Sequence, residues 1–239
     1  MKEVYESSTF IVPSLADRNG LLSIPGVFRL FQDMAAVHAQ QLGAGYYHLL
    51  EKDLFWLTVK TKIQIRKMPG MAENVILRTW PELPGKLRCN RSYELDWNGE
   101  TVISGKTEWA VMNFKTKRLG SPAEVFPADL DYRPVTACPA PFARIPEQFD
   151  GIDPYAEYRV RSADIDIGHH MNNVAYVQAL AGSLSCDEWE KLPKNSVDVL
   201  FRSSCYEGDL LQFRRKDTDN GVQICVSRED DTVLMVNME

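Results

Sequence analysis

The strongest constraint on the fold is that the chain says the same thing twice. Thr9-Phe10-Ile11-Val12 reads as a short strand, the turn-rich Ala16-Asp17-Arg18-Asn19-Gly20 follows, and a helical pattern comes next. The progression returns after Tyr158-Arg159-Val160, with Gly168 standing where Gly20 stood and Tyr176 where Phe28 stood, all at a spacing of 148 residues. A unit repeated once within 239 residues makes each copy a small domain that must bury its own helix against its own strands.

The first copy shows how. Val27, Leu30, Phe31, Met34, Ala35 and Leu42 fall on one helical stripe, with Pro25 suited to the first turn and Gly43 to the stop. His38 shares that stripe and is expected to be a core histidine with satisfied nitrogens. From Trp56 to Arg66, Leu57, Val59, Ile63 and Ile65 alternate with Lys60, Lys62, Gln64 and Arg66, the pattern of a half-buried strand. Val75 to Trp80 reads as another, Tyr93 to Trp97 followed by Asn98-Gly99 reads as a hairpin, and Trp109 to Asn113 closes the set. One long helix followed by four or five antiparallel strands is an α+β unit.

Seven of the thirteen prolines lie between Ser121 and Pro154. Proline at that density removes amide donors and blocks helix, so an extended surface linker is expected. The domains are therefore drawn at 1–130, a linker at 131–154, and 155–239. In the second copy, helical spacing of Val174, Val177, Ala181 and Leu184 precedes strands near Val197 to Phe201, Leu210 to Phe213 and Val233 to Val236, with a turn at Asn220-Gly221.

A net charge of −6 argues against nucleic acid as a partner. Two local basic runs, Lys115-Thr116-Lys117-Arg118 and Arg214-Arg215-Lys216, are solvated faces or a docking surface for an acidic partner. Five widely spaced cysteines with no C-x-x-C pair suggest neither a disulfide framework nor a zinc ribbon, and point to a reducing compartment. The opening residues lack a signal-peptide core and no later run is long enough to cross a bilayer, so a cytoplasmic protein is expected.

Chemistry concentrates at Asp164-Ile165-Asp166-Ile167-Gly168-His169-His170-Met171-Asn172-Asn173-Val174, which holds two of the four histidines at a helix start. Asn172 or Asn173 would cap that helix. Free amides and the positive end of the dipole at such an entrance stabilise the charge that a carbonyl oxygen gains under attack. Asp166 and His170 are the candidate general base and its partner; Gly168 would permit a positive φ at the turn. At the 148-residue spacing, His169, His170, Asn172 and Asn173 face Leu21, Leu22, Ile24 and Pro25. The second copy is thus expected to react, while the first lines an apolar tunnel with Leu22, Ile24, Phe31 and Met34.

This motif, extended through Ala175 and Tyr176, resembles the D-x-D-x-N-x-H-V-N-N-x-x-Y signature of acyl-acyl-carrier-protein thioesterases of the plant and bacterial fatty-acid type. The first copy resembles that family too, in the Asp17-to-Gly20 turn, Ala36-x-His38-x-x-x-Leu42-Gly43, Trp56-Leu57 and Thr79-Trp80. The resemblance implies a tandem double hotdog, two units each with a long helix wrapped by an antiparallel sheet. It implies hydrolysis of a fatty acyl thioester on acyl carrier protein, ending chain elongation. Asp166 and His170 match the motif's second aspartate and its histidine, and Gly168 stands in place of its asparagine. Phe201-Arg202-Ser203-Ser204-Cys205 resembles the family's Y-R-R-E-C strand, with Cys205 retained and Ser204 replacing the glutamate.

Several alternatives stay open. Cys205 is a thiolate nucleophile paired with His170, or a small buried hydrophobe on a strand. Metal binding by Asp164, Asp166, His169 and His170 is disfavoured, because no metal-ligand spacing is present, and no metal or other cofactor is expected. Rival functions are an acyl-CoA thioesterase, a hotdog dehydratase, and a non-catalytic fatty-acyl or acyl-carrier binding protein. Two fused units can cover each other's sheet edges, which leaves monomer and homodimer both open.

Overall fold

The computed structural model describes residues 3–239, which form two compact units dividing between Ala140 and Pro141. The first unit runs β1 (Tyr5–Phe10), a 3-10 turn (Pro13–Leu15), α1 (Ile24–Gln41), α2 (Tyr46–Leu50), β2 (Leu54–Ile65), β3 (Asn74–Pro81), β4 (Cys89–Trp97), β5 (Glu100–Asn113) and the short β6 (Leu119–Gly120). Its antiparallel sheet has the order β1-β3-β4-β5-β2, with β6 on β5. The second unit runs β7 (Ala156–Arg159), a 3-10 turn (Ser162–Asp164), α3 (Asn173–Gly182), α4 (Cys186–Lys191), β8 (Ser196–Phe201), β9 (Leu210–Thr218), β10 (Gly221–Arg228) and β11 (Asp231–Met238). Its order is β7-β9-β10-β11-β8, the same path taken again.

Local chemistry fixes the ends of α1. Ser23 Oγ accepts the Gly26 amide at 3.0 Å, Pro25 sits in the first turn, and Gly43 leaves the helix at φ +67°. The buried stripe of α1 lies on the sheet, where Phe31 stacks on Tyr93 with ring centroids 4.4 Å apart. Gly105 on β5 makes room for that stack, since a Cβ there would lie 2.6 Å from Phe31 Cε2. The Asn98-Gly99 hairpin is present, with both residues at positive φ as a type I′ turn requires. In the second unit the two-residue turn falls on Asp219 and Asn220 instead of Asn220-Gly221, because Gly221 already pairs with Thr218 in the ladder.

The repeat is real, but its spacing is 149 residues, one more than the glycine alignment suggests. Pro13 and Ser162 open the two 3-10 turns, Ala16–Leu22 and Ile165–Met171 form matching bridges, and Ser23 and Asn172 cap the helices. Gly20 therefore corresponds to His169, and both lie in the left-handed region, at φ +73° and +61°. The expected positive φ at Gly168 is thus carried by His169, a residue type that tolerates it better than most. His169, His170, Asn172 and Asn173 stand opposite Gly20, Leu21, Ser23 and Ile24, so the first copy retains a polar cap and loses only the imidazole.

Two other expectations change. Strand β2 is not exposed on its polar face: Thr61 and Lys62 are buried along with Ile63. Thr61 Oγ1 meets Thr107 Oγ1 at 3.1 Å, which satisfies both hydroxyls without water. Helix α3 ends at Gly182, so Leu184 lies beyond it, before the Ser185 capping box that starts α4. The proline-rich segment is extended, yet it adheres closely along its length. In the first unit Val135 O accepts Trp80 Nε1 at 2.7 Å, the Ala137 amide donates to Ser92 Oγ at 2.9 Å, and Cys138 is fully buried. In the second, the Ala143 amide donates to Asp198 Oδ1 at 2.9 Å and Phe149 packs with Cys225 and Met235.

Candidate active site

The loop between β7 and α3 is shaped by carboxylates that accept backbone amides. Asp164 Oδ2 takes the Arg161 amide and the Tyr158 hydroxyl, each at 2.8 Å, which closes the 3-10 turn. Two residues on, Asp166 exchanges backbone hydrogen bonds with the loop, its amide donating to His170 O at 3.1 Å and its carbonyl accepting the His169 amide at 2.9 Å. Its carboxylate is held at both oxygens. Oδ1 accepts the Gly168 amide at 2.8 Å, and Oδ2 accepts Asn172 Nδ2 at 3.1 Å.

Asn172 performs two tasks with one carboxamide. Its oxygen accepts the Val174 amide at 2.8 Å as the N-cap of α3, while its nitrogen aims Asp166. Asn173 is the first residue of the helix proper. His170 places Nδ1 3.9 Å from Asp166 Oδ1, beyond a direct hydrogen bond but within a small ring rotation of one. Both side chains remain about one third accessible, at 31% for His170 and 29% for Asp166. Gly168 sits between them: a Cβ there would lie 3.0 Å from both Asp166 Oδ1 and His170 Nε2, so a side chain would crowd the pair. His169 is exposed.

The floor under this loop is built from Tyr176 and Cys205. The Cys205 amide donates to Tyr176 Oη at 2.9 Å, that hydroxyl donates to Ser203 O at 3.3 Å, and Cys205 O accepts the Met171 amide at 2.8 Å. Burial pushes the Tyr176 phenol up, and a hydrogen bond to Cys205 adds to the shift. The Cys205 thiol is also pushed up, chiefly by burial, and the residue has no exposed surface. Ser204 is exposed, with its carbonyl held by Arg228 Nη1 at 3.1 Å. Tyr176 and Arg228 were not among the site residues expected from the sequence. Tyr176 closes the motif and carries that signal; nothing in the sequence around Arg228 links it to the loop.

The tunnel candidates are all buried in the first unit: Leu22 at the end of its own loop, and Ile24, Phe31 and Met34 on the inner face of α1. Residues 115–118 and Lys216 are exposed, as a solvated face requires, while three members of the basic runs are paired. Arg214 is tied to Ser227 Oγ, Ile152 O and Gln212, Arg215 to Asp217, and Lys115 to Asp53. Among the described residues no cluster of three or more His, Cys, Asp or Glu side chains could hold a metal ion. No helix among them is long and apolar enough to cross a membrane.

Comparison with known proteins agrees with this architecture. The palmitoyl-acyl carrier protein thioesterase of Arabidopsis thaliana is 27% identical over 211 residues, covering 82% of this chain and 50% of the relative. The chain spans about half the length of the curated relatives it matches. Two solved structures share the fold: an acyl-ACP thioesterase from Bacteroides thetaiotaomicron, with TM-score 0.86 and 20% identity over 98% of this chain and 96% of that one, and the 12:0-ACP thioesterase from Umbellularia californica, with TM-score 0.83 and 19% identity over 99% and 96%. These neighbours identify the fold as two hotdog units in tandem. Residues 2–126 match the acyl-ACP thioesterase N-terminal domain and residues 151–233 its C-terminal domain, so the chain belongs to the acyl-ACP thioesterase family.

Proposed function

We propose that the chain hydrolyses the thioester between a fatty acyl group and acyl carrier protein, with the reaction carried by the second unit and the acyl tail held by the first. The observation that carries this reading is the Asp166 carboxylate, fixed at both oxygens at the entrance of α3 with the His170 imidazole 3.9 Å away. In this reading Asp166 is the general base that takes a proton from water as its oxygen attacks the carbonyl carbon. His170 hydrogen-bonds the reacting groups, and Asp166 hands the proton it took to the departing thiolate, which restores the carboxylate. The positive end of the α3 dipole stabilises the negative charge on the carbonyl oxygen. Asn172 and Gly168 act as positioning residues, one by a hydrogen bond and the other by the space it leaves. The five free thiols support a reducing compartment, and we place the reaction in the cytoplasm. Release of free thiol from acyl carrier protein loaded with fatty acyl chains tests the reaction; no release above the uncatalysed rate overturns it.

Direct attack by water is favoured over a covalent route through Cys205, because a buried thiol held above its usual pKa is a poor nucleophile. Cys205→Ala is expected to keep turnover within about fivefold of wild type, the range of a packing change, and no acyl-enzyme is expected in rapid-quench samples. Loss of turnover with an intact thermal transition would reverse the assignment. The division of labour has its own test. Leu22→Ala and Ile24→Ala should shift the acyl chain length preferred in competition assays while changing turnover on the best substrate by less than about tenfold. A collapse of turnover with unchanged preference would remove the tunnel from the first unit.

A further inference from the structure

Strand β4 sends its alternate residues toward α1, where Tyr93 meets Phe31 and, one step along, Arg91 meets His38. Arg91 is only 4% exposed, in a layer that also buries His38, Thr79 and Thr107 but no carboxylate beside it. Its Nη1 donates to His38 Nδ1 at 3.0 Å and to Thr79 Oγ1 at 3.3 Å, which uses both hydrogens of that nitrogen. Thr79 Oγ1 in turn donates to Ser92 O at 2.9 Å, so the hydroxyl is fixed as the acceptor. Neither Nε nor Nη2 of Arg91 has a hydrogen-bond partner, and no carboxylate pairs with the guanidinium, among the described residues. Burial depresses the Arg91 pKa, and the groups that oppose the shift are the Tyr93 phenol and the Cys89 thiol, both pushed up by burial, not a carboxylate.

A buried cation without a counter-charge is strongly disfavoured, while the Nε–Nη2 edge of a guanidinium is the fork that a carboxylate fits with two parallel hydrogen bonds. His38 lies two helical turns beyond Phe31 on the buried face of α1, with Met34 between them. The cluster therefore adjoins Phe31 and Met34, two of the side chains assigned above to the acyl tail.

We propose that Arg91, anchored by His38 and Thr79, is a carboxylate-binding subsite in the layer between α1 and β4, beside the side chains assigned to the acyl tail. The location of the tunnel rests on the proposed function; the unpartnered edge of Arg91 does not. Two sources could present the carboxylate: the far end of an ω-carboxyacyl thioester, or a free fatty acid product that enters carboxylate first. In either case two N–H groups pair with two oxygens, the charge is neutralised, and the alkyl chain lies along Met34 and Phe31.

The test measures binding to the full chain carrying Asp166→Asn, by calorimetry, with saturated C8 to C16 fatty acids and the primary alcohols of equal length. At the length that binds best, the acid is expected to bind at least about tenfold tighter than the alcohol, and Arg91→Met to abolish that preference while leaving the alcohol unchanged. Replacing a buried arginine by methionine conserves volume and removes the cost of burying charge, so the variant should fold. Arg91→Lys provides a second reading, keeping the charge but losing the fork and most of the preference. Equal affinities in the parent, no binding of any acid, or a preference that survives both substitutions would overturn the subsite. The source is decided by kcat/KM of Arg91 protein on ω-carboxyacyl against unsubstituted acyl pantetheine thioesters: a gain for the former identifies the substrate tail, and none identifies the free acid. Failure of the hydrolase reading would show separately, as absent thiol release with the carboxylate preference intact.

Discussion

Asp166→Asn is expected to lower kcat about a thousandfold, at the centre of what removal of a positioned general base costs. The substitution is close to isosteric, and the new side-chain oxygen can still accept the Gly168 amide that Oδ1 accepts now. The loop should keep that anchor while losing the charge that draws a proton from water and the Asn172 Nδ2 bond, which an amide nitrogen cannot accept. KM should change little, and the thermal transition should stay within a degree or two of wild type. The contrast with His170→Gln is informative, because that side chain keeps a hydrogen-bonding group where Nε2 stands and should retain more turnover than Asp166→Asn. Single-turnover measurement on a fatty acyl carrier substrate checks both; Asp166→Asn protein that turns over normally would remove the aspartate from the chemistry.

Phe31→Ala is expected to cost about 3–5 kcal/mol of stability, the range for deleting a buried aromatic ring. Phe31 is 2% exposed, stacked on Tyr93 and pressed against the gap that Gly105 leaves. The neighbours belong to strands β4 and β5 at the centre of the sheet, so they cannot collapse into the space without disturbing two ladders. For a protein of this size the change corresponds to a fall in Tm of roughly 10 °C. Val37→Ala on the same helix, at a position 44% exposed, should lie within about 0.5 kcal/mol of wild type and serves as the control. A double-mutant cycle with Gly105→Ala should show favourable coupling, since the added methyl clashes with Phe31 Cε2 only while the ring is there. Urea titration of the four proteins measures it, and strict additivity would mean the ring and the glycine do not constrain each other.

Much of the fold was legible because each element carried its own signal. Ser23, Pro25 and Gly43 punctuate α1, and Asn98-Gly99 marks its hairpin. The repeat, too, could be seen, because two copies of one unit must each rebuild a helix entrance after a strand. Its spacing was misjudged by one residue, for a physical reason: a left-handed turn is the feature being repeated, and glycine is only the commonest residue to adopt it. In the second copy His169 takes that conformation, so aligning glycine with glycine displaces every later pair. The acid and the imidazole were legible as a pair at a helix start, and Asn172 as a cap. The second use of Asn172, orienting Asp166, depends on a contact six residues back that spacing does not encode. Tyr176 and Arg228 reach the loop through the backbone of a distant strand end, and Arg91 meets His38 across 53 residues; pairings of that kind have no local pattern to betray them.

The two helix entrances show what the aspartate was doing before any reaction was asked of it. In the first unit Asp17 accepts the amides of Asn19 and Leu21 at 2.9 and 3.0 Å and exchanges backbone bonds with Leu21 and Gly20, the same knot that Asp166 ties in the second, with leucine where His170 stands. Architecture alone accounts for that acid. In a duplicated unit of this kind both copies hold a carboxylate already oriented at a helix entrance, and an imidazole in place of one aliphatic neighbour is what separates the copy proposed to react from its twin.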